Sequence, residues 1–487
     1  MIRIENAKAM LLTLLAMALT PITVSAQNVR HFGLGMSGPL QLHDLPASRL
    51  RSKLERLPAR KRKKSIDALR KFSFTDKDLA YLDADNNGRV LFVDRFLLPA
   101  APSTAIAKGD MQVPLISARD AFSLHSRPGA KRIIYLDFNG MDVSNTAWNE
   151  GAAATFQAQA YDTDGSPETF SASELNSIAE IWHRIAEDYM PFNVDVTTKE
   201  PKTFGPTVGR ILITRNVDKN GVGMPYSNAG GVAYVGYWGT PIYTYASPAL
   251  VYYNNLSGGS APVVAEASSH EMGHNLGLSH DGTPSDSYYD GQGAGFVSWA
   301  PIMGNSYSKN VTQWSKGEYL DANNTQDDIS IIKTNLGYRP DDHGNTLDTA
   351  TPLAIGANGA IAATNPETDP YNADKSNKGV IGRLNDADYF SFYANAGTIN
   401  ITVTPAWGAF YNSGHRGANL DVLATLHRWD GKLIQKSDPI NETKAVIAKA
   451  VPAGQYFLAI RGTGNTLTPY SKYDSLGQYF INGTVAP

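Results

Sequence analysis

The stretch His270-Glu-Met-Gly-His274-Asn-Leu-Gly277-Leu-Ser-His280-Asp281 says most about the architecture of this 487-residue chain. His270 and His274 are four positions apart, so on a helix both imidazoles lie on one face, about one turn apart. Gly277 allows the helix to end in a left-handed turn, after which His280 can return as a third nitrogen donor. Three histidines leave one zinc position open, as a catalytic zinc site requires.

Glu271 stands beside the same helix face, and its position predicts hydrolysis. A zinc ion polarises a scissile carbonyl and lowers the pKa of its water towards ~7. Glu271 would take the proton of this water as general base and pass it to the leaving amine. The metal would stabilise the tetrahedral oxyanion. A lone helical histidine is more often a core residue, but the register of Gly277 and His280 favours metal binding.

The residues around this stretch predict a catalytic domain over 126–339. A helix is expected from Ser173, its N-cap, to Tyr189, and another from about Val263. Alternating helices and strands indicate an α+β domain with α/β layers. The apolar stripe of the first helix consists of Leu175, Ile178, Trp182, Ile185 and Tyr189. The predicted strands are 133–138, 193–198, 210–214, 231–238 and 249–254.

Short alternating runs separated by turn residues dominate residues 340–487, which predicts an all-β sandwich domain. The chain is therefore expected to be multidomain. It has no cysteine, so any metal must be bound by His, Asp or Glu. Its net charge of −3 argues against a nucleic-acid partner.

Residues 1–26 have the pattern of a secretory signal peptide: Arg3 and Lys8 precede an apolar run, and Val24-Ser25-Ala26 is a cleavage pattern. The alternative is an uncleaved anchor. Cleavage predicts a secreted, extracellular protein that passes through the periplasm in a Gram-negative host, with no membrane association after the signal is removed.

Residues 27–125 form a basic segment. The first hundred residues contain 17 Lys/Arg and 9 Asp/Glu, a net of +8, whereas the remainder carries −11. The excess of positive charge in this segment has two explanations. It is either a solvated helix face or part of a pro-segment that docks on the acidic remainder and is later removed. A pro-segment could inhibit through a carboxylate, a histidine or simple occlusion, and His31, His43 and Asp44 are candidates.

Two stretches resemble calcium sites. Residues 83–94 have oxygen donors at loop positions 1, 3 and 5 and Gly88 at position 6, as in an EF-hand, but position 12 is Asp94 instead of glutamate. A glycine turn between two short strands explains this stretch equally well. Near residue 340, Asp341, Asp342 and Asn345 form either a calcium site or a solvated turn.

The pattern HExxHxxGxxH resembles the zinc signature of the metzincin metallopeptidases, and HEMGHNLGLSHD resembles their reprolysin (adamalysin) branch. This resemblance implies that His270, His274 and His280 bind zinc and that Glu271 is the catalytic base. It also implies a structural Met-turn at Met303, within 300–304. Residues 231–238 would be the edge strand that pairs with an extended substrate. The absence of cysteine departs from the reprolysins, which usually carry disulfides, and excludes latency through a pro-segment cysteine.

The C-terminal part resembles the bacterial pre-peptidase C-terminal domain. The residues that carry this resemblance lie at 386–392, 396–397, 419–422, 430–431 and 452–460. Such domains accompany secreted bacterial proteases. The resemblance is compatible with binding of the C-terminal part to matrix or cell wall.

The sequence therefore predicts a secreted zinc metalloendopeptidase, made as a zymogen, that acts on protein or peptide substrates. One alternative is a metallopeptidase of narrow specificity directed at cell wall or matrix. The other is an adhesin or substrate-binding protein with a vestigial zinc site. Glu271 speaks against the adhesin, which has no need of a general base.

Overall fold

The computed structural model describes residues 29–95, 117–364, 373–406 and 417–487. The predicted signal peptide lies outside these residues. The N-terminal segment, 29–95, has its own small core of leucine and phenylalanine side chains. Its elements are β1 (His31–Gly33), α1 (Arg49–Arg56), α2 (Ala59–Leu69), β2 (Ser73–Thr75), β3 (Leu82–Ala84) and β4 (Val90–Asp94).

The residues from 117 to 339 contain both helices and strands. The helices are α3 (Ala118–Ala121), α4 (Ala172–Asp188), α5 (Ala261–Leu276) and α6 (Asp328–Leu336). The strands are β5 (Ile133–Asp137), β6 (Asp142–Ser144), β7 (Thr155–Gln157), β8 (Asp195–Thr197), β9 (Val208–Thr214), β10 (Gly231–Tyr234), β11 (Ala249–Tyr252), β12 (Trp299–Pro301) and β13 (Val311–Gln313). The mixed helix and sheet content predicted from the sequence is confirmed.

One seven-stranded sheet joins the N-terminal segment to the middle of the chain, in the order β3-β4-β10-β11-β9-β5-β8. The strands β11, β9, β5 and β8 run parallel, and β10 pairs antiparallel with both β11 and β4. The prediction that residues 231–238 form an edge strand is therefore wrong for the chain as it stands. The hairpin β3–β4 covers the edge that β10 would otherwise expose.

Helices α4 and α5 pack against each other, and α5 also contacts β9, β10 and β11. The apolar stripe predicted for α4 is buried along its whole length. Its N-cap, however, is Ser171 and not Ser173: the Ser171 side chain accepts from the Glu174 backbone N–H, and Glu174 reaches back to Ser171. This capping box places the N-cap two residues earlier than the sequence predicted.

The EF-hand-like stretch 83–94 is a β-hairpin, as its alternative interpretation predicted. Asp85 accepts from the backbone N–H of Asn87 and Arg89 and bonds the Arg89 side chain, while Asp83 pairs with Arg49. These carboxylates are already neutralised by arginine, and they belong to none of the candidate metal clusters in the described residues.

The described residues beyond 340 form strands and one short 3-10 turn. They make two five-stranded sheets, one in the order β14-β17-β22-β19-β20 and one built from β15, β23, β18, β21 and β16. The strands are β14 (Thr351–Pro352), β15 (Ala360–Ile361), β16 (Lys378–Ile381), β17 (Asp388–Ala394), β18 (Gly397–Pro405), β19 (Val422–Arg428), β20 (Leu433–Ser437), β21 (Ala445–Val451), β22 (Gly454–Gly462) and β23 (Gly477–Thr484).

The C-terminal sheets dock on α4 and on the residues before α6 through buried carboxyl groups. Glu187 accepts from the backbone N–H of Gln478 (2.8 Å), and Asp474 accepts from that of Trp314 (2.7 Å). Both carboxyl groups are at most 2% exposed, and burial raises the pKa of each. Within the described part of the chain, no helix is apolar and long enough to cross a bilayer.

Candidate metal site

The histidines of the opening motif converge in the structure. His270 and His274 lie on the last turns of α5, which ends at Gly277 with φ +110°. Gly277 and Leu278 donate backbone N–H bonds back to the last turn, to the carbonyl of Gly273. This left-handed ending turns the chain towards His280, and the three ring centroids come within 4.7–5.3 Å of one another.

The Nδ1 atoms of all three rings are engaged away from the centre of the group. His270 Nδ1 bonds the Ile302 carbonyl at 2.9 Å, and His274 Nδ1 bonds the Leu278 carbonyl at 2.8 Å. A backbone carbonyl can only accept a hydrogen bond, so both rings carry hydrogen on Nδ1 and direct the lone pair of Nε2 inwards. His280 Nδ1 bonds Asp78 of the N-terminal segment at 3.2 Å.

These residues fit a zinc ion. The inward nitrogens form a buried group together with one oxygen of Asp94, all within 4.8 Å of one another. The Nε2 atom of His270 is buried without a hydrogen-bond partner, and a bound cation would accept its lone pair. Imidazole nitrogens with one carboxylate oxygen are donors that zinc accepts.

Burial keeps two of the rings neutral, the state that binds metal. It lowers the pKa of His270 to about 3 and also lowers that of His274. Burial acts in the same direction on His280, but the carboxylates of Asp94 and Asp78 outweigh it and raise the pKa to about 9. The imidazoles in turn hold the pKa of Asp94 well below its usual range, against the effect of burial.

Glu271 lies beside the histidines and is 1% exposed. Burial, and after it the charge of Asp94, raises the pKa of Glu271 well above its ordinary value. The side chain packs on Gly231 of β10, where a Cβ atom would come within 2.0 Å of Glu271 Oε1. The glycine thus leaves room for the carboxyl group next to the three imidazoles.

Met303, the residue predicted for the Met-turn, packs against Gly273 of α5. It is fully buried, and a Cβ on Gly273 would be 2.6 Å from its Sδ atom. Its backbone carbonyl accepts from the N–H of Asp281 at 2.9 Å, which ties the residues after His280 to this turn. Asp281 itself is buried, and both its carboxyl oxygens lack a partner.

The N-terminal candidates His31, His43 and Asp44 do not reach this site. His31 is paired with Thr75 in β1–β2, and Asp44 bonds the backbone N–H of Gln41. The side chain of His43 is 79% exposed. Asp94 and Asp78 reach the histidines instead. Only one weak signal marks Asp94 in the sequence: it is an aspartate where an EF-hand has glutamate.

Tyr288 was also missed by the sequence interpretation. Its hydroxyl donates to Asp94 Oδ1 at 2.7 Å, and its ring lies 4.3 Å from that of His280. Tyr307, four residues after Met303, is buried too. The sequence offers no pattern that marks Tyr288, because its contact with Asp94 spans 194 positions.

Residues 174–281 match the reprolysin-like family of M12B metallopeptidases. The reprolysin-like match begins in α4 and ends directly after His280, so it includes β10, α5 and the three histidines. The resemblance predicted from HEMGHNLGLSHD is confirmed over this range. No curated protein matches the chain.

Two solved structures are similar to parts of the chain. One is the pre-peptidase C-terminal domain of collagenase from Bacillus anthracis, with 16% identity, a TM-score of 0.18, and coverage of 30% of this chain and 98% of that one. The other is a cycloisomaltooligosaccharide glucanotransferase from Paenibacillus sp., with 10% identity, a TM-score of 0.15, and coverage of 75% and 42%.

A cavity of about 780 Å³ lies away from the histidines. It lies between α2 and residues 235–242 and is lined by Lys61, Lys64 and Arg89 among others. The space over the histidines is taken by Asp94 and Phe92 of β4.

Proposed function

We propose that this protein is a secreted, zinc-dependent endopeptidase. One arrangement carries the proposal: three imidazoles, two of them fixed through Nδ1 to backbone carbonyls, face a common centre beside a buried glutamate. The reprolysin-like match over 174–281 supports the same chemistry. We take α4 and α5, packed together beside the large sheet, as the helical layer of a metzincin-like domain.

In this proposal His270, His274 and His280 hold the metal. A zinc ion bound there supplies a Lewis acid for the scissile carbonyl and an activated water. Glu271 takes up a proton at its carboxyl group and returns it to the leaving amine. Met303 supports the histidine rings from beneath α5.

The function is tested with the processed protein and its Glu271→Ala variant on casein, each with and without a zinc chelator. We expect casein cleavage by the parent only, at least about 10²-fold faster than by the variant, because a general base contributes that much or more. The chelator should abolish cleavage. Equal activity of parent and variant would contradict the role of Glu271. Inactivity of both with one zinc bound would favour the adhesin or a narrow substrate.

The zymogen proposal rests on the basic charge of segment 27–125 and on the contacts that its described residues 29–95 make with the rest of the chain, above all the pairing of β4 with β10. Mass spectrometry of the secreted form should find an N-terminus beyond this segment. A mature N-terminus at Gln27 would show that only a signal peptide is removed, and the segment would then be a permanent part of the protein.

We also propose a calcium site at the start of the C-terminal domain. One oxygen each of Asp341, Asp342 and Asp388 lies within 4.8 Å of the others. Asp388 Oδ1 is buried without a hydrogen-bond partner, and burial followed by the charge of Asp342 raises the pKa of Asp388 to about 9. These residues lie in the stretch predicted from Asp341, Asp342 and Asn345, with Asp388 as an additional donor. The side-chain oxygen of Asn345 instead accepts from the backbone N–H of Ala387 at 2.8 Å.

Calcium should raise the midpoint of thermal unfolding of the parent but not of the Asp388→Asn variant. The cation relieves repulsion between the carboxylates and binds only to the folded arrangement. The matched control is Asp348→Asn, an exposed aspartate near the same linker. An equal response of parent and Asp388→Asn would contradict the site. For the C-terminal domain as a whole, the proposed ligands are matrix or cell-wall surfaces.

A further inference from the structure

Asp94, the last residue of β4, enters the group of histidines from the N-terminal segment. Its Oδ1 lies 3.0 Å from His280 Nε2, and its Oδ2 lies 3.2 Å from His274 Nε2 and 3.6 Å from His270 Nε2. The side chain is almost completely buried. The carboxylate of Asp94 therefore faces the Nε2 atoms of all three histidines.

The backbone of β4 fixes this position. Strand β4 pairs with β10 so that Asp94 stands opposite Gly231 and Leu91 opposite Tyr234. The N–H of Gly230 donates to the Asp94 carbonyl at 2.7 Å, and the N–H of Val235 donates to the Val90 carbonyl at 3.1 Å. An extended substrate would need these same β10 groups for strand pairing.

Side chains on both faces of β4 pack against the part of the chain that carries the histidines. Phe92 stacks on His274 with ring centroids 4.2 Å apart and also packs on His280 at 4.3 Å. Leu91 and Val93, on the other face, belong to the main core. At the hairpin, Arg89 bridges Asp85 and Glu150 through contacts of 2.5 Å. These contacts are largely buried and do not depend on the peptide connection to residue 117.

We propose that Asp94 is a fourth protein ligand of the metal in the uncleaved chain and that β4 occupies the place of an extended substrate. The inference rests on the proposed zinc peptidase. In this arrangement the carboxylate of Asp94 closes the open metal position. The backbone groups of β10 that would pair with a substrate are paired with β4 instead. The protein is latent until the residues up to Asp94 have left the site, and a cut in the backbone alone does not remove them.

The ligand is tested by visible absorption of cobalt in place of zinc, in the full-length chain. A Glu271→Ala background prevents self-processing, and acetohydroxamate is the probe for an open metal position. With Asp94 present, the cobalt spectrum should hardly respond to the probe. The Asp94→Ala variant should bind it at least about tenfold more tightly, because a tethered carboxylate competes at an effective concentration of millimolar or more.

Two further variants make the test specific. Asp44→Ala, an aspartate of the same segment that does not reach the site, should behave like the background chain. Asp94→Asn keeps the size of the side chain, so its thermal unfolding and circular dichroism show whether any opening of the site comes from misfolding. It should fold like the background and still give a changed cobalt spectrum.

Equal acetohydroxamate affinity with and without Asp94 would overturn the inference, and so would absence of bound cobalt in every variant. A clear response of the Asp94 variants, combined with no casein cleavage by the processed protein, would support Asp94 as a ligand and contradict the proposed function. The two proposals can therefore fail separately.

Discussion

At residue 231 the sheet has no room for a side chain. Gly231 has an ordinary backbone conformation, so its small size matters for space and not for a turn. The carboxyl group of Glu271 fills the volume that a Cβ atom would take. The position of the proposed base is therefore set jointly by α5 and by a glycine on the strand beside it.

Gly231→Ala should push Glu271 away from the histidines. We expect casein cleavage by the processed protein to fall by about 10²-fold or more, the usual contribution of a general base, while zinc content stays unchanged. The control is Gly205→Ala, because a Cβ atom there meets nothing within 4 Å. Full activity of Gly231→Ala with one zinc bound would contradict the dependence of Glu271 on this glycine.

The histidines could be predicted from sequence because helix geometry and one glycine bring together residues only ten positions apart. Asp94 could not be predicted in the same way. It contacts His274 across 180 positions of the chain, and only the pairing of β4 with β10 brings the two together. A pattern within a short window contains no information about such a pairing.

Among the elements, α4 shows how a boundary shifts by a residue or two. The sequence predicted its buried stripe correctly because the 3.6-residue period extends over the whole helix. Ser171 and Ser173 are both acceptable caps on composition. Only the position of Glu174, three residues after Ser171, forms the reciprocal pair of hydrogen bonds.

Ser171→Ala should lower the free energy of unfolding by about 1 kcal/mol, because the first turn of α4 loses its acceptor. Ser173→Ala is a matched control on the same turn: Ser173 is exposed, and the change should leave stability nearly unaffected. Urea denaturation of the full chain measures both. If the Ser173 variant lost more stability than the Ser171 variant, the cap would be assigned to the wrong serine.

At the scale of the whole molecule, the part of the chain that carries the histidines and the C-terminal sheets meet across buried carboxyl groups. Glu187 on α4 contacts β23, and burial raises its pKa to about 8 despite the Gln478 N–H and the nearby Arg339. An unfolded glutamate ionises near pH 4.3. The contribution of Glu187 to stability is thus fully present below about pH 4 and is lost as the pH rises through about 8.

The Glu187→Gln variant should not lose this stability as the pH rises, because glutamine does not ionise. At pH 9 the variant should be more stable than the parent by more than about 1.4 kcal/mol, the equivalent of one pKa unit, and the difference should shrink towards pH 4. Thermal or urea unfolding across this pH range measures it. Glu168→Gln, at an exposed glutamate, serves as the control. A parallel pH dependence of parent and Glu187→Gln would refute the assignment.

The hairpin β3–β4 has a second consequence, for the folding and solubility of the protein. An uncovered strand presents a row of free N–H and C=O groups that can pair with any other extended chain, including another copy of the same protein. While β4 lies on β10, that side of the sheet is shielded from other chains. If the hairpin leaves, as the proposed zymogen requires, the uncovered side of β10 would be free to pair with peptides, and the processed protein would also be more prone to self-association than the uncleaved chain.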